Sequence, residues 1–221
     1  MACLRELLRL CALLPLTGAC AFTDVPLELP TRGLENTFRG GNGRQIVVYA
    51  PFQDAREIRD RCGMQKNGYN MDTADAVCRS DPGPWMAQLL ADELRATGFT
   101  VLDGEASHRP GALLLEGSLL KLFVEPVIGF WSGSLEADLS VKLRVTTETG
   151  LEAERTFFVK GWKGGVLLGT AQPFHTALHR ATQQILAEMV RAIIELMDRY
   201  PQLGARPAPE TRIARMGERP R

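Results

Sequence analysis

The sequence predicts an α+β fold, an antiparallel meander sheet with two helices packed on one face. Three observations carry this. In Gly133 to Thr147, Leu135, Ala137, Leu139, Val141, Leu143 and Val145 alternate with polar residues, the period of a strand with one dry and one wet face. In Phe174 to Arg199, apolar residues recur at three- and four-residue steps, the stripe of a long amphipathic helix. Glu148-Thr149-Gly150 then joins two strand-like runs by a connection too short for anything but a hairpin.

Taken in order, the globular part opens with Gln45 to Phe52, where Ile46, Val47, Val48 and Tyr49 form the compact apolar run of a buried strand. Asp54 and Arg56 follow it as a local ion pair or solvent-facing charges, the other reading being a functional role, since loops carry function. Residues 57–83 are a polar insert with Asn and Asp side chains, but without the glycine and terminal glutamate of a calcium loop. A first helix starts at Gly83-Pro84, carries Trp85, Met86, Leu89, Leu90 and Leu94 on one stripe and stops at Thr97-Gly98. Phe99 to Leu102 leaves it as a strand. Ala112 to Glu125 is a second long strand, with Leu113, Leu115, Leu119 and Phe123 on one parity and further leucines interrupting the other.

The strand at 133–147 should be the centre of the sheet, paired on one side with this strand and on the other with Leu151 to Trp162. The connection at 126–132 is apolar where a hairpin tip is normally polar. Val127, Ile128, Phe130 and Trp131 are therefore candidate partner contacts, the other reading being that they fold back over the core. Pro173 and Tyr200-Pro201 bracket the last helix, which should cross the dry face of the sheet.

The two ends read differently. Residues 1–19 carry Arg5 and Arg9 before an uncharged run too short to span a bilayer, as in a secretory signal. Leu16-Thr17-Gly18-Ala19-Cys20 resembles the bacterial lipobox, with Thr17 where leucine is more usual. That resemblance implies lipidation of Cys20, whereas an ordinary cleaved signal would leave the cysteine incidental. Residues 20–44, with Pro26, Pro30 and the Gly40-Gly41-Asn42-Gly43 cluster, read as the lipidated cysteine and a flexible tether. Such a linker would span about 28 Å. Residues 45–201 form the single domain, and 202–221, rich in Pro and Arg, a disordered basic tail.

Five cysteines occur; Cys3 and Cys11 leave with a signal and Cys20 is the lipidation candidate, so Cys62 and Cys78 remain. In an oxidising compartment one pair reads as one disulfide closing the insert, since two cysteines at this spacing are too few for a zinc site.

The charge is balanced, with 26 basic and 26 acidic residues, and aromatics are sparse, so the sequence lacks the footprint of a nucleic-acid binder. No GxSxG, HExxH, GxGxxG or phosphate-loop GK[ST] is present. His175 and His179 lie four apart on the last helix without a third ligand, and Glu152 and Glu154 fall on a wet strand face. No catalytic, cofactor or metal residues are therefore expected, and the chain reads as a non-enzyme.

The order of lipobox, first strand, helix, short strand, meander and long helix, carried by WMAQLLADELRATGFTVLD, SLEADLSVKLRVTTETG and FHTALHRATQQILAEMVRAIIEL, resembles the YajG-type bacterial lipoproteins. The insert and the tail are additions to that pattern. The resemblance implies a small α+β domain lipid-anchored in the outer membrane, facing the periplasm, with no catalytic residues to carry over. The expected role is non-catalytic binding or adaptation in the cell envelope, with an envelope protein or lipid as partner. The alternative is an auxiliary lipoprotein of an envelope lipid or solute transport system.

Overall fold

A computed structural model describes residues 23–35, 38–103, 111–128, 133–147, 150, 152–165 and 171–204. Within them the chain runs β1 (Val25–Leu27), β2 (Gln45–Val48), β3 (Gln53–Asp54), β4 (Gly63–Lys66), β5 (Asp72–Cys78), α1 (Pro82–Ala96), β6 (Thr100–Asp103), β7 (Leu113–Ile128), β8 (Gly133–Thr146), β9 (Glu152–Gly164) and α2 (Gln172–Arg199). The fold is α+β as expected: β7, β8 and β9 form the antiparallel meander, and both helices pack on the sheet and touch each other.

The sheet is nevertheless larger than a meander. On the side away from β8, β7 pairs in parallel with β2 at Leu113–Leu115, with β3 at Ser118–Leu119 and with β4 at Val124. β6 extends the β2 branch, and β5 followed by β1 extends the β4 branch. β8 sits in the middle of the meander, but β7 is the strand that joins both halves of the mixed sheet.

β7 also explains its own broken parity. Leu119 pairs with Val141 and Lys121 with Ser140, so Leu120 is an extra residue, a β-bulge. Before it the buried side chains are Leu113, Leu115 and Leu119; after it they are Leu122, Val124 and Pro126. Leu122 and Val124, which looked like interruptions of a wet face, are inward residues of a strand whose phase has shifted, while Leu114 and Leu120 are half-buried.

The dry face of β8 is buried from Leu135 to Val145 as predicted, under a core supplied by Phe174, Leu178, Ile185, Met189 and Ile193 of α2 and by Met86, Leu90 and Leu94 of α1. The N-cap of α1 is Asp81, two residues earlier than the expected Gly83 cap, and its carboxylate accepts a hydrogen bond from the Gly83 N–H.

Four sequence-based boundaries move. The described part of the expected flexible tether is docked: Val25, Leu27 and Leu29 are buried in the common core and β1 pairs with β5. Its continuation straps across both helices, with the Trp85 indole donating to the Pro30 carbonyl, Gln183 Nε2 to the Gly33 carbonyl, and the Leu34 N–H to the buried carboxylate of Glu93. The expected surface insert at 57–83 contributes β4 and β5 to the sheet. Pro126 to Ile128, expected in a loop, end β7. Leu203, at the start of the expected tail, is buried, and Gly204 bonds to Gly111 and Gln45; residues 205–221 lie outside the described residues.

Candidate interaction surface

The helices cover only one face of the meander, so the other presents whatever the even-numbered positions of β8 and β9 carry. Cross-strand register sets these out in rows: Lys121, Ser140 and Phe158; Phe123, Asp138 and Lys160; Glu125, Glu136 and Trp162; Val127, Ser134 and Gly164. Charges on this face pair across strands rather than pointing at a common centre. Lys121 Nζ lies 2.6 Å from Asp138, Arg144 lies 2.7 Å from Glu152, and Lys160 bridges Glu136 at 3.2 Å and Asp138 at 3.4 Å. The hydrogen bond to Glu136, with the charge of Asp138 next, raises Lys160 above the ordinary lysine range and keeps it cationic.

Two large aromatics stand out of this lattice. Phe158 is 52% and Trp162 55% exposed, flanking Lys160 on the same face. The Trp162 indole leans over Gly164, and its backbone carbonyl accepts from Arg180 of α2 at 2.6 Å, which ties the strand end to the helix. A cleft beside it, bounded by Val127, Ser134, Trp162, Gly164 and Arg180, has a volume of about 450 Å³. The face thus carries exposed aromatic area on either side of a cation, Phe158 and Trp162 about Lys160.

Of the expected contact residues, Val127 is exposed at the end of β7 and Ile128 half-buried. Phe130 and Trp131 lie outside the described residues. Phe158 and Trp162 were missed, although adjacent Phe157 and Phe158 in one strand must face opposite sides and only one side can be core.

Elsewhere, Cys62 and Cys78 are bonded, with Cα atoms 5.6 Å apart, joining the loop before β4 to the end of β5. Beside them Arg56, 4% exposed, makes two 2.8 Å hydrogen bonds to the Asp54 carboxylate and further ones to the carbonyls of Arg59 and Arg61 and to Cys62 Sγ. The Asp54–Arg56 pair is thus a local clamp on the disulfide loop. That hydrogen-bonded guanidinium holds the Asp54 carboxyl below the usual carboxylate range against the opposing effect of burial.

His175 and His179 do not converge on a shared point: the first contacts the Glu28 carbonyl, the second faces Glu35 at 3.8 Å. Among the described residues no three His, Cys, Asp or Glu side chains gather as a metal site would require, and no helix is long and apolar enough to cross a membrane.

A separate groove of about 210 Å³ runs between α2 and the β8–β9 end, floored by Leu143, Val145, Ala153, Phe157 and Leu196 with Arg155 and Arg199 at its mouth.

Cys20 lies outside the described residues. No family model and no curated protein matches the sequence. Among solved structures, protein XCC0632 from Xanthomonas campestris, assigned to DUF330, is similar at 13% identity and a TM-score of 0.50, over 79% of this chain and 98% of that one. A putative neuraminyllactose-binding hemagglutinin homolog from Helicobacter pylori aligns at 12% identity with a TM-score of 0.37, over 75% of this chain and 90% of its own. What this chain shares with XCC0632 is the fold.

Proposed function

We propose that the chain is a lipoprotein anchored through Cys20 in the outer membrane, facing the periplasm, with a non-catalytic binding or adaptor role in the cell envelope. The exposed pair Phe158 and Trp162 on a sheet face otherwise neutralised by cross-strand ion pairs carries the binding half of this reading. The exposed half of each ring is left for a partner to desolvate, while the paired charges around them add register. The lipobox-like Leu16 to Cys20 and the YajG-type order of elements support the anchoring half.

The test is crosslinking and co-purification from membranes of wild type against Phe158→Ala and Trp162→Ala. A partner lost in both variants is the expected result; identical capture would overturn the assigned surface. Intact-mass measurement of the mature N-terminus checks the lipid on Cys20 separately.

The groove between α2 and β9 favours the second reading, an auxiliary lipoprotein of an envelope lipid or solute transport system. Its apolar floor and two arginines at the mouth suit an acyl chain with an anionic head. Native mass spectrometry would find a lipid-sized adduct under that reading and none under the first.

A further inference from the structure

The register places two strand ends and the chain entry on one side of the molecule. β4 runs parallel to β7 with Gly63 beside Val124, which brings Lys66 level with Val127 at the far end of β7. β5 returns from there, Asp72 opposite Lys66. The β4–β5 turn therefore projects from the same end of the sheet as the β7–β8 connection.

This turn is built, not slack. Asn67 Oδ1 accepts from the backbone N–H groups of Tyr69 and Met71, the Asn67 N–H donates to the Met71 carbonyl, and Asn70 takes a positive φ of 62°. Its product is the outward display of Tyr69, 87% exposed, and Met71, 57% exposed. Displaying a large aromatic and a thioether side by side at a polar, hydrogen-bonded tip costs solubility unless something covers them.

The segment that leads into β1 bears on what does. β1 runs parallel to β5, away from the tip, with Val25 beside Ala76. Immediately before it, the Thr23 carbonyl accepts from Gln65 Nε2 at 2.8 Å and Asp24 Oδ1 accepts from the Asp75 N–H at 3.0 Å. Thr23 is thus pinned to the tip half of the β4–β5 hairpin, and Cys20 is three residues upstream. A chain of three residues reaches at most about 11 Å. An anchor on Cys20 cannot hold the domain clear of a bilayer.

We infer that the domain rests directly on the membrane by the β4–β5 tip, with Tyr69 and Met71 in the interfacial layer. The inference rests on the lipidation of Cys20 proposed above. Tyrosine suits that layer because its ring is apolar and its hydroxyl remains wet, and methionine adapts to irregular acyl packing. Immersion is shallow, about 5 to 10 Å. Lys66 is engaged with Glu125 at 2.6 Å, and Asp72 flanks the tip, so the contact is apolar in origin and holds on zwitterionic lipid.

The experiment uses the full, membrane-extracted chain reconstituted in phosphatidylcholine vesicles, with a photo-crosslinking benzoylphenylalanine in place of Tyr69 or, as a control, of Phe158. Phe158 lies six residues along β9 from Gly164, about 20 Å farther from the membrane end. The expected result is roughly tenfold more lipid adduct at 69 than at 158. Equal yields at the two positions, or protein adducts in place of lipid at 69, would overturn the inference while leaving the anchor intact if the N-terminal mass shows acylated Cys20. An unmodified Cys20 would remove the anchor reading and this inference with it.

Discussion

Gly161 of β9 lies so close under α2 that a Cβ added there would overlap the carbonyl oxygen of Ala177. The helix can approach the sheet this closely only because that position lacks a side chain. Gly161→Ala should destabilise the fold by about 1 to 3 kcal/mol, the usual cost of overpacking a tight contact. Chemical denaturation measures it, and an unchanged midpoint would mean that α2 stands farther from β9.

Removing the Cys62–Cys78 bond should cost about 3 kcal/mol, through the freedom returned to the unfolded chain across a separation of 16 residues. Because β4 and β5 belong to the sheet, Cys62→Ala with Cys78→Ala should also expose the hairpin to protease before the rest of the domain. Uniform cleavage throughout would argue against a locally stapled unit.

The Asp54–Arg56 pair predicts an acid dependence. Asp54 binds its proton less readily folded than unfolded, so its contribution to stability is complete above the ordinary carboxylate range and is lost as pH falls through the lowered folded value. Asp54→Asn should be less stable at neutral pH and show a flatter stability curve in acid, read from denaturation midpoints across that range. Arg56→Ala should cost about 2 to 3 kcal/mol, somewhat under the range for a fully buried pair, because Asp54 keeps partial contact with water.

Phe158→Ala should leave stability within about 0.5 kcal/mol of wild type, because the ring is half in solvent. Thermal melts run beside the capture experiments would detect the opposite case, in which lost binding merely reports a damaged fold.

The parts of the fold legible in the sequence are those written in short-range periodicity: the alternation of β8, the stripe of α2, the stripe of α1. The strap from Pro30 to Leu34 was not legible, because it is held by Trp85, Glu93 and Gln183, which lie far away along the chain and leave no local pattern. β4 and β5 were hidden by polar composition, since Gln65 is buried with its amide satisfied by Thr23. The exposed aromatics could have been read. With Phe157 and Val159 assigned to the core, Phe158 and Trp162 are forced outward, but in an apolar run the eye assigns all of them to the core.

Leu120 divides β7 into two stretches of opposite sequence parity. Its first half speaks to β2 and its second to β4, and the single supernumerary residue lets the two conversations be held in different phase. Deleting Leu120 would remove the bulge and put Leu119, Leu122 and Val124 on one parity, still facing the core opposite Val141, Leu139 and Ala137, with Lys121 and Glu125 still on the wet face. A one-residue deletion at this point should therefore be tolerated better than one in the regular part of β7, where every residue beyond the gap would change faces.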